Sequence, residues 1–314
     1  MEKHSYYMGF DVGGTKFAVS VGKVDESGVT VVERREVPTM SEPKATLDCF
    51  TSDILAWKER YEIRYAGISC GGPLDSKTGV IVSTPNLSKG WHGFPIVQYI
   101  RETFGLESAL ENDANACAVA EWMFGAGRGT QNMVFMTFGT GLGAGLILDG
   151  KLYSGTNGNA GEVGHLRLAK SGPVGFNKAG SAEGFCSGNG IKKLALIRAE
   201  EQGIALDESI TTKEIFARAN SGDSFCESIV KESSERFGEV VSVLLDLFNP
   251  EVVTAGGVFM RNYDHIMRYA LPIIEREALE ETRSVCRIIP AQIGENVGDF
   301  AALAIAVGLD NDTK

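Results

Sequence analysis

Tyr6-Tyr7-Met8-Gly9-Phe10-Asp11-Val12-Gly13-Gly14-Thr15-Lys16-Phe17-Ala18-Val19-Ser20-Val21 decides the fold. Two runs rich in aromatic and β-branched residues, Tyr6 to Val12 and Lys16 to Val24, meet at a glycine pair, the signature of a hairpin. Val29 to Val37 predicts a third strand, Ala45 to Tyr61 a helix (apolar Leu47, Phe50, Ile54, Leu55 and Trp57), and Tyr65 to Ser69 a strand ending at Gly71-Gly72-Pro73. Strands alternating with helices indicate an α/β class.

The second half repeats this opening in kind. Met133 to Phe138, a Gly-Thr-Gly turn and Gly143 to Leu148 again read strand, glycine turn, strand. Helical patterns follow at Ile191 to Glu201 and Phe225 to Phe248, then a buried-strand run, Val252 to Ala255, and an Ala-rich helix over 298–308. We therefore expect two α/β domains, 1–114 and 115–314, facing one cleft, with the last helix packing back on the first. A chain of 314 residues is long enough for two cores.

Composition narrows the function classes. Hydrophobic content of 43% fits a globular protein, and a formal charge of −11 argues against a nucleic-acid surface. The six cysteines are scattered without CxxC spacing, as expected of reduced thiols. The N-terminus lacks a cationic start followed by an apolar stretch, and no run reaches the ~20 apolar residues that cross a bilayer. A cytoplasmic protein without membrane or nucleic-acid partners is the expectation.

Four motifs carry chemistry. In Asp11-Val12-Gly13-Gly14-Thr15-Lys16 the glycines let backbone N–H groups approach a phosphate, Asp11 could hold Mg²⁺ through water, and Thr15 and Lys16 could touch phosphate oxygens. An ordinary hairpin explains the same residues. Gly139-Thr140-Gly141-Leu142-Gly143-Ala144-Gly145 has more glycine than a structural turn needs, and because a strand follows it is no dinucleotide fingerprint.

Glu111-Asn112-Asp113-Ala114-Asn115 ends a strand and opens a helix. A helix cap needs one such residue, and here there are four. Asp113 is the candidate general base, with Asn112 bonding a neighbouring hydroxyl. Gly161-Glu162-Val163-Gly164-His165 sets a carboxylate and an imidazole three apart among Asn157 and Asn159, suited to sugar hydroxyls or to a structural role. Pro85-Asn86-Leu87-Ser88-Lys89-Gly90-Trp91 pairs an amide with an indole, as a sugar pocket or a capped turn would. Two phosphate-holding turns around one base and a hydroxyl-binding cluster point to a kinase acting on a sugar.

Together these motifs resemble the ROK family of sugar kinases, by type, order and spacing from Asp11 to Gly298-Asp299-Phe300-Ala301-Ala302-Leu303-Ala304. The resemblance implies the two-domain actin-like, ribonuclease H-like ATPase fold of the hexokinase, Hsp70 and actin superfamily. By position it implies Asp113 as the base; Asn86, Asn112, Asp113, Glu162, His165 and Glu183 as sugar contacts; and Gly13, Gly14, Thr15, Lys16, Gly139, Thr140, Gly141 and Gly143 as phosphate loops. Thr254-Ala255-Gly256-Gly257-Val258 corresponds to the adenosine-side motif.

One segment departs from the family. A Cys-x-Cys-Gly-x-x-Gly-Cys-x-Glu stretch that binds structural zinc with the His reads here Val174-Gly175-Phe176-Asn177-Lys178-Ala179-Gly180-Ser181-Ala182-Glu183. The thiolate positions hold Val174, Phe176 and Ser181, and His165 with nearby Cys186 cannot supply four ligands, so no zinc is expected. Val174 and Phe176 are expected to replace the metal by packing, and another group must orient His165.

The resemblance implies transfer of the γ-phosphoryl of Mg-ATP to the 6-hydroxyl of a hexose, glucose first, with N-acetylmannosamine, fructose, allose or a glycoside as alternatives and a homodimer by analogy. The same family contains sugar-responsive repressors. Those carry a DNA-binding winged helix before the first glycine motif, where this chain has ten residues. A catalytically dead sugar-binding subunit would lose the base or a phosphate loop, and neither is lost.

Overall fold

The computed structural model describes residues 5–26, 28–294 and 297–312. The chain forms two compact units. The first comprises 1–128, 154–158 and 293–314, and the second 129–153 and 159–292. The sequence-based division at residue 114 falls inside the first unit, within the first turn of the helix Asp113–Phe124. That helix packs with the terminal helix Val297–Asp312, in the same unit.

Each unit is built on a five-stranded sheet of the same design. In the first, the order is Gly28–Pro38, Lys16–Asp25, Ser5–Val12, Ile63–Cys70, Glu107–Asn112. The first three strands are antiparallel hairpin neighbours and the last two add in parallel. In the second, the order is Lys151–Leu152, Leu142–Leu148, Met133–Phe138, Val252–Ala255, Arg287–Pro290, again antiparallel and then parallel. The repeat that is faint in sequence is thus complete in topology.

The two cores are separately filled. Phe10, Phe17, Phe50, Trp57 and Trp91 anchor the first, and Phe138, Phe185, Phe237 and Phe259 the second. The terminal helix lies on the first sheet through small residues. Ala301, Ala302, Ala304 and Ala306 are buried, and a Cβ on Gly67 would fall 1.9 Å from the Ala302 carbonyl oxygen. A larger residue at position 67 would lift the helix off the sheet.

Two local expectations are corrected. The helix expected over Ala45 to Tyr61 is two helices, Pro43–Asp48 and Thr51–Arg60. The chain turns at Cys49–Phe50, where the Phe50 N–H donates to the Leu47 carbonyl and the Phe50 ring is buried. Trp91 is no pocket wall: it is fully buried against Phe17 and Phe94, and its Nε1 donates to the Met40 carbonyl at 2.9 Å. Among the described residues, no helix is long and apolar enough to cross a membrane.

Candidate active site

In the first unit, Asp11 ends a central strand and points toward the start of the terminal helix, where a Cβ on Gly298 would lie 2.2 Å from Asp11 Oδ2. Only glycine fits at 298. Burial, reinforced by the Asp299 and Asp113 carboxylates against a smaller opposing effect of Arg34, pushes the Asp11 pKa up to about 6. A crowded, negatively charged carboxylate suits a hydrated divalent cation. Arg34 itself is paired, its Nε donating to Asp299 Oδ2 at 2.7 Å.

The turn after Asp11 is tight. Gly13 N–H donates to the Lys16 carbonyl, Thr39 N–H donates to the Thr15 carbonyl, and Thr39 Oγ1 donates to the Gly13 carbonyl at 2.6 Å. The N–H groups of Gly14 and Thr15 have no partner among the described residues and remain available to a phosphate. The glycines answer to the protein as well: a Cβ on Gly13 would lie 2.7 Å from the Lys16 carbonyl oxygen, and one on Gly14 2.2 Å from that of Asn86. Lys16 is not poised on a phosphate here, since its Nζ pairs with Glu36 at 2.8 Å.

Asn86 is exposed and rests against this turn through its backbone. The polar cluster at 111–115 divides its labour. Glu111 is buried, and its Oε1 accepts from Asn112 N–H, Asn115 Nδ2 and Ser76 Oγ. Asn112 caps the helix, its Oδ1 accepting from Ala114 N–H at 2.9 Å and Asn115 N–H at 3.4 Å. Capping uses the Asn112 oxygen, so a ligand hydroxyl can meet only the amide Nδ2, near Gly72.

Asp113 opens the helix and is reachable by solvent. Its Oδ1 accepts from Ala114 N–H at 2.8 Å, and Oδ2 faces Gly71. Water reaches the carboxylate, yet protein crowds it on most sides. That desolvation raises its pKa above the usual carboxylate range, and the Ala114 N–H only partly offsets it.

In the second unit, the turn Gly139–Gly141 joins Met133–Phe138 to Leu142–Leu148. Gly139 N–H donates to the Gly141 carbonyl, while the N–H groups of Thr140 and Gly141 have no partner among the described residues. A Cβ on Gly139 would meet open space. Gly143 donates its N–H to Thr137 Oγ1 at 3.0 Å. Gly257, at φ +59°, closes on the end of the same strand: a Cβ there would lie 2.2 Å from the Phe138 carbonyl oxygen. Its neighbour Gly256 donates its N–H to the Met136 carbonyl.

Glu162 is exposed and His165 half-buried on the short 3₁₀ turn Val163–His165. Neither ring nitrogen of His165 has a hydrogen bond among the described residues. Its main chain is held by Lys178 Nζ, which donates to the His165 carbonyl at 2.5 Å. Phe176 meets the imidazole edge to face, with ring centroids 5.2 Å apart.

The segment of the missing cysteines is a small hairpin, Val174–Gly175 paired with Lys178–Ala179, turning through Phe176 and Asn177 at φ 38° and 64°. Its residues do not fit a zinc ion. Ser181 Oγ accepts from Gly184 N–H as a helix cap, Phe176 offers only a ring, and Cys186 is buried with its thiol directed to the Ser233 carbonyl. The packing expected of Val174 is absent, since it is exposed. Phe176 touches His165 but is itself 67% exposed.

Sequence reasoning missed two anchors of these loops. Thr39, on the first, gives no motif signal. Gly188 and Asn189, whose N–H groups donate to the Gly139 and Thr140 carbonyls at 2.7 and 3.3 Å, lie in a Ser-Gly-Asn-Gly run that reads only as a helix start.

Comparison with known proteins bears on the family and the fold. A glucokinase of Halalkalibacterium halodurans is 30% identical over 311 residues, covering 93% of this chain and 92% of the relative. The ROK hexokinase of Thermus thermophilus superposes with a TM-score of 0.82 at 27% identity, over 98% of this chain and 99% of that one. A ROK family glucokinase from Streptomyces griseus, solved with glucose and AMPPNP, gives 0.74 at 29% identity over 97% and 100%. The actin-like ATPase fold is therefore that of this chain as well. The model of the ROK family matches residues 7–308, and the chain belongs to that family.

Proposed function

We propose that this chain, an ATP-dependent sugar kinase, transfers the γ-phosphoryl group of Mg-ATP to the 6-hydroxyl of a hexose, with glucose as the first candidate. The observation that carries the reading is Asp113: solvent-reachable, fixed at a helix start by the Ala114 N–H, and with its pKa raised. A carboxylate of raised pKa is a better proton acceptor near neutrality than an ordinary one.

Phosphoryl transfer passes through a loose transition state, so the protein mainly positions and neutralises. Asp113 aligns the acceptor hydroxyl and takes its proton late. Asn86, Asn112 Nδ2, Glu162, His165 and Glu183 hold the other hydroxyls. The free N–H groups of Gly14, Thr15, Thr140 and Gly141 are suited to phosphate oxygens. Mg²⁺, bound with ATP and held through water by Asp11, supplies charge neutralisation. Gly256 and Gly257 lie on the adenosine side. The protein acts in the cytoplasm as a homodimer, with zinc no part of it because the hairpin 174–179 offers no thiol.

ADP release from Mg-ATP across glucose, N-acetylmannosamine, fructose, allose and simple glycosides tests the reading. Strong turnover on one sugar is expected, greatest on glucose. Sugar binding without turnover on any of them would replace the kinase with a sugar-responsive binding protein. About one zinc per chain in protein purified without added metal, resisting mild chelation, would refute the zinc-free reading.

A further inference from the structure

The family resemblance makes Glu183 a sugar contact, but one of its oxygens is already engaged elsewhere. Oε2 accepts the Leu142 N–H at 3.1 Å, at the exit of the turn Gly139–Gly141. A Cβ on Gly141 would lie 2.8 Å from that same oxygen. Oε1 has no partner among the described residues. The stem of the side chain is locked as well: Cβ positions built on Gly164 and Gly175 would fall 3.3 and 2.8 Å from the Glu183 Cβ.

The residues after Glu183 hold the same turn. Gly188 and Asn189 donate to the carbonyls of Gly139 and Thr140, and Ser187 N–H donates to the Glu183 carbonyl. Three hydrogen bonds from residues 183–189 thus fix the conformation of residues 139–142, leaving the N–H groups of Thr140 and Gly141 pointing free.

We propose that Glu183 is a positioning residue for the nucleotide: one carboxylate oxygen sets the glycine turn that receives the ATP phosphates while the other faces the acceptor sugar. The proposal rests on the kinase reading above. A side chain shared in this way couples the two substrates, so each raises the affinity for the other by the same factor.

The test is calorimetric titration of the full chain with Mg-AMPPNP, a non-hydrolysable ATP analogue, in the absence of sugar. Glu183→Ala should raise the Kd about tenfold, the worth of one charged hydrogen bond. Glu183→Gln, whose amide oxygen still accepts the Leu142 N–H, should stay within about twofold of wild type.

Nucleotide affinity equal to wild type in Glu183→Ala, with only the sugar KM raised, would overturn the proposal and leave Glu183 a plain sugar ligand. If Glu183→Ala does not fold, Gly141→Ala tests the same contact, because its Cβ displaces the carboxylate. Weakened binding is expected there too, and unchanged binding would overturn the proposal. A wild-type chain that binds no Mg-AMPPNP at all would instead sink the kinase reading, a distinct outcome.

Discussion

The two glycine turns occupy equivalent places in equivalent sheets, yet they need glycine for different reasons. In the first, both glycines are demanded by neighbouring backbone, Gly13 by the Lys16 carbonyl and Gly14 by that of Asn86. In the second, Gly139 faces open space with an ordinary φ, so no atom of the described residues explains the missing side chain. A glycine excused by packing says little about a ligand. One that packing does not excuse points to something outside the chain that comes close.

The base gives the largest expected effect and belongs to neither turn. Asp113→Asn keeps an oxygen to accept the Ala114 N–H, so the fold and sugar binding should survive. Turnover should drop by about 10²–10⁴, the usual worth of a positioned proton acceptor. Single-turnover ADP formation would measure it, and wild-type-like rates would remove Asp113 from the chemistry. The wild-type rate should also have an acidic limb above the range of an unperturbed carboxylate, because the neutral form of Asp113 is favoured.

The contrast between the turns can be broken with one methyl group in each. Gly14→Ala forces a Cβ against the Asn86 carbonyl and should cost about 1–3 kcal/mol in denaturant unfolding. It should also raise the sugar KM, because Asn86 must move. Gly139→Ala should change stability by no more than about 0.5 kcal/mol while raising the KM for ATP. Equal stability losses in the two variants would show that the second turn, like the first, is glycine-rich for packing alone.

Asp11 sharpens the comparison from the electrostatic side, since the second turn has no carboxylate at the equivalent place in its strand, where Thr137 stands. Its proton stays on in the folded chain up to about pH 6 and leaves the unfolded chain near the ordinary aspartate value of 3.8. Between those values the folded state binds more protons, so the contribution of Asp11 is fully present below the window and lost as pH rises through it. Removing the titrating group with Asp11→Asn should flatten the loss of stability over that range, by about 2 kcal/mol. Unfolding measured without Mg²⁺ from pH 4 to 7 would decide it, and parallel curves for the two proteins would contradict the buried-carboxylate account.

The turns were the most legible part of the sequence because strand, glycine and strand are local signals. The parallel additions to each sheet were less so, since short runs such as Val252–Ala255 declare a strand but not its neighbour. Asp113 could be singled out, but not the division of roles around it: Asn112 as cap and Glu111 as the hub for Asn115 emerge only when the helix start is built. Trp91 misled because an indole beside Asn86 reads alike in a pocket and in a core. The hairpin at 174–179 was visible as a loss of thiols, whereas what stands there instead, Lys178 on the His165 carbonyl, depends on a contact thirteen residues back.

The smallest effect concerns how each turn is held in place. The second is held by Glu183 and the residues after it, the first by Thr39, whose N–H and hydroxyl both bond the turn. Thr39→Val keeps the shape and the N–H but removes the 2.6 Å bond to the Gly13 carbonyl. The net worth of such a bond is about 1 kcal/mol. If the first turn is set mainly by packing of Gly14 on Asn86, that loss should appear in stability with nucleotide affinity changed by less than about twofold. A larger change in Mg-AMPPNP affinity would mean that the hydroxyl, like Glu183, positions the phosphate-binding N–H groups, and the two turns would then share one way of being held.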